Sequence, residues 1–151
     1  MTQFVPRDPD FDARVRTSFA RQRLMQTLGV RLLRVAPGEC DMEMPFAAAF
    51  TQQHGFLHAG TLTSVVDSAC GYAALSLMAP GAAVMSVEFK VNLMAPAAGE
   101  RLLARGRVVR SGRTLTIVAG EGFMCSGDDE RHVFTMLGTM MAVEGRAGIA
   151  D

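Results

Sequence analysis

The chain has 151 residues, the length of a single compact domain. Apolar residues make up 49% of it and charged residues 20%, which is too apolar for a disordered protein. Fifteen basic residues balance fifteen acidic ones, so the chain lacks the excess of positive charge that nucleic-acid binding requires. We therefore expect a folded protein whose partners do not include nucleic acid.

The cysteines favour a reducing compartment. Cys40, Cys70 and Cys125 are odd in number and widely spaced, which predicts neither a disulfide framework nor a zinc knuckle. The N-terminal stretch is acidic and has no apolar run, so it does not resemble a signal peptide. From these observations we expect a cytoplasmic location.

The first part of the chain predicts one helix and two strands. Residues 10–28 place apolar side chains at steps of three and four, with Asp10 as the helix cap. Short segments on either side of Pro37-Gly38 alternate between apolar and polar, which predicts strands over residues 30–35 and 39–45.

A largely apolar helix follows over residues 59–79. It ends at Pro80-Gly81, and because it is apolar on nearly every side it must be surrounded by protein. Residues 68–87 carry no charge over a length that could cross a bilayer. The Pro-Gly break favours the end of a buried helix plus the start of a strand, so we expect no membrane partner.

The rest of the chain alternates with period two. Four strands are predicted, over residues 85–93, 101–110, 113–124 and 131–143. In the first strand the two faces are predicted to carry Met85, Val87, Phe89, Val91 and Leu93 on one side and Ser86, Glu88, Lys90 and Asn92 on the other. Strands of ~36 Å match a helix of ~31 Å in length. This predicts an α+β fold in which a curved antiparallel sheet wraps around one long central helix.

Asp67 is the acidic residue most suited to catalysis. It lies two turns into the predicted buried helix. Burial of a carboxylate is unfavourable unless the group is paired or takes part in the chemistry. Desolvation also raises its pKa, towards the range of a general base. The structural alternative is an acid on a polar stripe, hydrogen-bonded to Ser64 or Ser68.

The loop before this helix predicts an oxyanion site. Ala59 and Gly60 are small enough to let a ligand approach the backbone. The first N–H groups of a helix lack intrahelical partners and stabilise developing negative charge. We expect an acyl carbon to lie between these donors and Asp67. The alternative is a glycine-containing loop that only begins the helix.

Other catalytic arrangements have weaker support. His54 and His58 are four residues apart, but Gly55 between them predicts a loop rather than a metal-binding helix. The sequence has no Gly-x-Ser-x-Gly elbow, and Cys70 lies on the predicted buried helix. We expect no metal and no organic cofactor, and we expect the two histidines to orient the loop or to contact substrate.

These residues resemble a motif of the hot-dog fold acyl-CoA thioesterases, specifically the PaaI-like branch of the phenylacetic acid pathway. That motif has an amide residue, then Gly-x-x-His-Gly-Gly, then an acid near the second helical turn. The matching residues are Gln52, Gly55, His58-Ala59-Gly60 and Asp67. Residues 86–96 and 110–114 are similar to the next strand and the next hairpin of the family, and the resemblance covers roughly residues 30–144.

The resemblance implies hydrolysis of an acyl-CoA, or an arylacyl-CoA, to a free acid and coenzyme A. It implies that Asp67 is the general base or nucleophile, that the Ala59 N–H polarises the thioester carbonyl, and that Gln52 positions the attacked group or water. Further substrate contacts that it implies are Gln53, His54, Gly55, His58, Gly60 and Ser86 near the reacting group, and Arg110, Gly112 and Arg113 at the phosphates of coenzyme A. Ser86 corresponds to a polar residue that approaches from the partner subunit in some members.

The sequence departs from the family pattern at two positions. Ala59 replaces the first glycine of His-Gly-Gly, which keeps the N–H donor but adds a Cβ where substrate passes. Gln52 replaces the usual Asn, and the neighbouring Gln53 could take its place.

The resemblance also implies a domain organisation and an assembly. We expect a hot-dog domain over residues 30–145, an N-terminal helical segment over 1–29 packed on it, and a tail over 146–151. The open edges of such a sheet predict a homodimer or a homotetramer with the site at the subunit boundary. Two alternatives stay open: a non-catalytic acyl-CoA binding module, and a hydratase or dehydratase of the same fold.

Overall fold

An antiparallel sheet and one helix packed against it account for most of the structure. The computed structural model describes residues 4–149 and 151. The elements are α1 (Phe11–Arg21), α2 (Arg23–Leu28), β1 (Arg31–Ala36), β2 (Glu39–Pro45), a 3₁₀ turn (Ala48–Phe50), α3 (Ala59–Leu75), β3 (Ala83–Leu93), β4 (Arg101–Ser111), β5 (Leu115–Ser126) and β6 (Asp129–Val143). The sheet order is β1-β2-β4-β5-β6-β3.

The sheet curves around α3. This helix contacts every strand from β2 to β6, and eleven of its 17 residues are buried. Five adjacent strands span about 19 Å, whereas a helix with its side chains is only about 10–12 Å across. Strands at both ends of that span reach the helix only if the sheet bends. The predicted α+β hot-dog fold is therefore confirmed.

Two glycines let the helix and the sheet approach closely. A Cβ built on Gly106 of β4 would lie 2.4 Å from the carbonyl carbon and oxygen of Ala69 in α3. A Cβ on Gly120 of β5 would lie 2.5 Å from Val66 Cγ1 and 2.7 Å from Cys70 Sγ. Side chains at these positions would push α3 away from the sheet, so the absence of a Cβ sets the depth of the helix.

The alternation predicted for β3 is wrong at one point. The pairing of β3 with β6 shifts in register between Ser86 and Glu88, a β-bulge around Val87. A bulge inserts one extra residue and so reverses which face the following side chains occupy. Ser86, paired with Met140, therefore lies on the helix side of the sheet together with Phe89, paired with Gly138.

The single helix predicted over residues 10–28 is also wrong, because it is broken. Gln22 has extended backbone angles of φ −81° and ψ 94° and separates α1 from α2. This break turns the Gln22 side chain towards α3, where its Nε2 donates a hydrogen bond to Ser68 Oγ at 3.2 Å. The N-terminal segment thus reaches the surface of the central helix.

Helix α3 ends earlier than the Pro80-Gly81 break predicted. The Ser76 hydroxyl donates to the Ala73 carbonyl at 2.7 Å. The Arg14 guanidinium donates to the carbonyls of Leu75, Met78 and Ala79 at 2.7–3.0 Å. These donors satisfy the carbonyl groups at the end of the helix, which can then stop without continuing to the proline.

The uncharged stretch over residues 68–87 divides between α3 and β3, as the sequence predicts. None of the helices in the described part of the chain has the length and hydropathy of a membrane-spanning helix.

The close contact at Gly106 can be tested by adding one methyl group. Gly106→Ala should lower the free energy of unfolding by about 3 kcal/mol, because the new Cβ meets backbone atoms that cannot move aside. The measurement is urea unfolding followed by circular dichroism.

The matched control is Gly71→Ala, at a buried glycine of α3 itself. A Cβ there would lie 4.0 Å from its nearest neighbour, Val84 Cγ1. Alanine is the better helix former, so this variant should gain about 0.5–1 kcal/mol. Wild-type stability in Gly106→Ala would show that this contact does not set the helix position.

Candidate active site

Asp67 is partly buried on the face of α3 that looks towards β3. The Ser86 hydroxyl donates a hydrogen bond to Asp67 Oδ1 at 2.8 Å and lies 3.4 Å from Met140 Sδ. The structural alternative named Ser64 or Ser68 as the partner, but Ser64 Oγ donates to the Gly60 carbonyl. The partner of Asp67 is thus a residue of the strand, which the bulge turns towards the helix.

The surroundings of Asp67 shift its protonation. Burial raises the pKa of the Asp67 carboxyl above its ordinary value, and the hydrogen bond from Ser86 partly opposes this shift because it favours the ionised form. A carboxylate with a raised pKa is a stronger base than an exposed one, as proton abstraction or nucleophilic attack requires.

A cavity of about 140 Å³ opens beside Asp67. Its lining consists of Gln22, Asp67, Ser68, Gly71, Tyr72, Val84, Ser86 and Asp151. Of these eight residues, the sequence predicted only Asp67 and Ser86 as site residues. Tyr72 and Val84 belong to no motif that would mark them as site residues. Gln22 reaches the cavity only because of the break between α1 and α2.

The N-terminus of α3 leaves one amide free. The Gly60 N–H donates to Nδ1 of the capping residue His58 at 2.8 Å. The N–H groups of Thr61 and Leu62 donate to the His58 carbonyl at 2.9 and 3.2 Å. Within the described part of the chain, the Ala59 N–H has no such acceptor. It is therefore the donor that a carbonyl oxygen can meet at this end of the helix.

Ala59 and Gln52 share a second cavity, of about 450 Å³. Its remaining lining is mostly apolar: Phe56, Leu57, Leu62, Leu93, Met94, Ala95, Pro96 and Ala97. Gln52 Oε1 accepts a hydrogen bond from the His54 N–H, which orients the side chain and leaves its Nε2 to donate. Gln52, and not Gln53, lines this cavity.

One chain does not bring Ala59 and Asp67 to the same point. The two residues are eight apart in α3, which is about 12 Å along the helix axis. They line different cavities, one at the end of the helix and one beside its middle. Within one chain the two groups are therefore too far apart to contact one acyl carbon, because a helix is too rigid to shorten this separation, and the expectation that an acyl carbon lies between them stays a prediction.

The other predicted contacts lie at the surface. Gln53, His54 and Gly55 are exposed at the tip of the loop before α3, where Gly55 has a φ of +84°. This loop is closed by the bridge between Thr51 and Leu57. Ser86, for which the resemblance implied an approach from the partner subunit, reaches Asp67 within the same chain.

The arginine hairpin lies between β4 and β5. Arg110, Gly112 and Arg113 are all exposed, and none of them lines either cavity. The Gly112 carbonyl accepts a hydrogen bond from Arg7 Nη2 at 3.4 Å, which adds a third guanidinium group to this corner of the molecule.

Comparisons with known proteins agree with this architecture. Residues 54–128 match the thioesterase superfamily. A thioesterase family protein from Silicibacter pomeroyi is 51% identical, with a TM-score of 0.88 over 89% of this chain and 99% of that protein. The PaaI protein of the phenylacetic acid degradation operon of E. coli is 20% identical, with a TM-score of 0.81 over 90% of this chain and 95% of that one.

A thioesterase from Haemophilus influenzae has the same fold at 15% identity, with a TM-score of 0.76 over 84% of this chain and 87% of its own. At such low identity the last two similarities support the fold, whereas the match to the superfamily and the 51% identical relative support the family. The chain belongs to the thioesterase superfamily and is a thioester hydrolase with the hot-dog fold.

Proposed function

We propose that this enzyme hydrolyses acyl-CoA thioesters to a free acid and coenzyme A. The observation that carries the proposal is the partly buried Asp67 carboxylate, whose pKa is raised and whose orientation is held by Ser86 at the wall of an open cavity. The free Ala59 N–H supports it, because a thioester carbonyl needs a donor where negative charge develops.

The reaction needs one base and one oxyanion donor. The carbonyl oxygen accepts a hydrogen bond from the Ala59 N–H, and the Gln52 amide holds the group under attack. Asp67 either removes a proton from water as the water adds to the carbonyl carbon, or attacks that carbon itself and is released by water. In both cases the C–S bond breaks, the sulfur leaves as the thiol, and the acyl carbon gains the oxygen of water.

We propose that two chains complete the site. Among the described strands, the edge strand β3 pairs with β6 alone, and it exposes large apolar side chains, with Val87 and Leu93 each 54% exposed. Pairing of β3 with a second copy would cover this edge. Two α3 helices would then run antiparallel across the two-fold axis, with the N-terminus of each beside the middle of the other. Ala59 of one chain would face Asp67 of its partner.

Two exposed arginines of the hairpin between β4 and β5 are suited to bind coenzyme A. We propose that Arg110 and Arg113 contact the phosphates of coenzyme A, because guanidinium forks suit phosphate oxygens.

A further doubling into a tetramer would use the outer face of the sheet, where Leu137 is 57% exposed. The carboxylate and the amides supply the chemistry without a metal or an organic cofactor. Three unpaired buried cysteines support a cytoplasmic location.

Asp67→Asn should lower thiol release from acyl-CoA by about 10²- to 10⁴-fold, the usual effect of losing a general base. The assay detects free thiol over a panel of acyl-CoA esters. Asp128→Asn, an exposed acid in the turn before β6, is the control and should keep full activity. Wild-type rates in Asp67→Asn would contradict the mechanism. Binding of acyl-CoA without thiol release by the wild type would favour a non-catalytic module.

Ser86→Ala should move the acidic limb of the pH profile of kcat/KM to higher pH. The reaction needs ionised Asp67, so activity falls as pH drops through the pKa of this carboxyl. Ser86 lowers that pKa, and its removal therefore raises it. Ser86→Thr retains the hydroxyl and should keep the wild-type profile. An unchanged acidic limb in Ser86→Ala would show that this hydrogen bond does not tune the base.

A mixing experiment tests whether two chains share the site. Ala59→Pro removes the N–H donor at the first position of α3, where proline is well tolerated. The preceding residue, His58, already has the extended backbone angles that a following proline needs, φ −63° and ψ 142°. Ala59→Pro and Asp67→Asn should each be inactive alone. When they are refolded together at equal amounts, about a quarter of the wild-type activity should return, because half of the dimers are mixed and each has one intact site.

The control for this pair is Ala59→Gly, which retains the N–H and should stay active. If the site belonged to one chain, no mixture of the two inactive variants would recover activity.

A further inference from the structure

The segment before α1 is held against the hairpin between β4 and β5. Phe4 is partly buried and packs against the hydrophobic core. The Asp8 carboxylate pairs with the Arg14 guanidinium at 3.1 Å, and both side chains are only 10% exposed. Arg7 lies between these two anchors, and its Nη2 donates to the Gly112 carbonyl at 3.4 Å. Its guanidinium is therefore placed at the hairpin by the fold of the segment.

The arginine corner, formed by Arg7, Arg110 and Arg113, carries positive charge that the protein does not neutralise. All three side chains are exposed, and within the described part of the chain no carboxylate lies at ion-pair distance from them. Several other arginines of the strands do pair with carboxylates: Arg31, Arg34, Arg101, Arg105 and Arg107. The corner is thus suited to an anion from outside the chain.

The end of β6 lies beside this corner. The Ala142 N–H donates to the Thr114 carbonyl at 2.8 Å. Glu144 and Arg146 follow along the chain, and both are exposed. Because their charges are opposite, they leave the positive charge of the arginine corner unchanged.

The distance from the arginine corner to Asp67 matches the pantetheine arm of coenzyme A. Ser86, Met140 and Thr116 pair in one row across β3, β6 and β5, and Ser86 is bonded to Asp67. Two strand spacings and three residues along a strand separate Ser86 from Arg113, which is about 14 Å. The pantetheine arm has about 13 bonds from sulfur to the first phosphorus, or about 16 Å when extended. A thioester beside Asp67 can therefore place its phosphates at the corner.

We propose that Arg7 binds the 3′-phosphate of coenzyme A together with Arg110 and Arg113. This inference rests on the proposed function, which assigns only the two hairpin arginines to coenzyme A. A phosphomonoester carries a charge of about −1.5 to −2 at pH 7, more than either phosphate of the pyrophosphate bridge, and it is the group that three guanidiniums stabilise most. Arg7 then selects coenzyme A esters from other thioesters and takes no part in bond cleavage.

The first test measures binding, which needs no turnover. Adenosine 3′,5′-bisphosphate carries the 3′-phosphate, and adenosine 5′-monophosphate lacks it. In titration calorimetry the wild type should bind the bisphosphate at least 10-fold more tightly than the monophosphate. Arg7→Gln should reduce this ratio three-fold or more, because one guanidinium is lost. Arg23→Gln is the matched control: it removes an exposed arginine of α2 and should keep the wild-type ratio.

The second test measures thiol release. It compares the acyl-CoA ester that the wild type hydrolyses fastest with the dephospho-CoA ester of the same acid. The wild type should prefer the coenzyme A ester at least 10-fold in kcat/KM. Arg7→Gln should lose three-fold or more of this preference through a higher KM at unchanged kcat, the mark of lost binding that is equal in the ground and transition states.

The ratios separate recognition from stability. Equal binding of the two nucleotides by the wild type, or wild-type ratios in Arg7→Gln, would overturn the inference. A loss of the same size on both esters would also overturn it, because it would show a structural role of the segment. Tighter binding of the bisphosphate without thiol release from any ester would support the phosphate site and contradict the proposed function.

Discussion

The packing of α3 against glycine-bearing strands is the constraint on which the site depends. Gly106 and Gly120 allow the helix backbone to lie almost in contact with the sheet. At this distance the helix can neither slide nor rotate without steric overlap, because protein interiors are close-packed. The positions of Ala59 at its start and Asp67 in its middle are thereby fixed to the same sheet. Two hydrogen bonds add to this packing: the Ser86 hydroxyl orients the Asp67 carboxylate, and His58 caps the N-terminus of α3.

The same rigidity separates the two halves of the chemistry. The helix places the Ala59 amide, the proposed oxyanion donor, about 12 Å from the Asp67 carboxylate, and each of the two groups has its own cavity. Pairing at the apolar edge of β3 offers the simplest way to unite them, because in the proposed dimer the two-fold axis at that edge places the N-terminus of each α3 beside the middle of the other. The proposed second chain would account both for the exposed apolar residues of β3 and for the separation of Ala59 from Asp67.

Sequence analysis could predict what local patterns encode. The start of α3 at Ala59, the turns between the long strands and the α+β fold follow from periodicity and from Gly and Pro punctuation. It could not predict the bulge around Val87, since bulges depend on the partner strand, nor the break at Gln22. For that reason Gln22 was missed as a lining residue of the cavity beside Asp67, and the hydrogen bond from Ser86 to Asp67 within one chain was not predicted. The predicted catalytic roles and the domain limits stay predictions.

The position of Gln22 in the chain has a consequence for how the cavity beside Asp67 is built. The stretch that matches the superfamily, residues 54–128, includes Ala59, Asp67 and Ser86. Gln22 lies before it, in a segment attached to α3 by Ser68 and by the Arg14 guanidinium. The wall of the cavity beside Asp67 is thus built from two stretches of the chain, one inside the superfamily match and one before it. A substitution confined to the N-terminal segment would alter that wall while Asp67 and Ser86 stay in place.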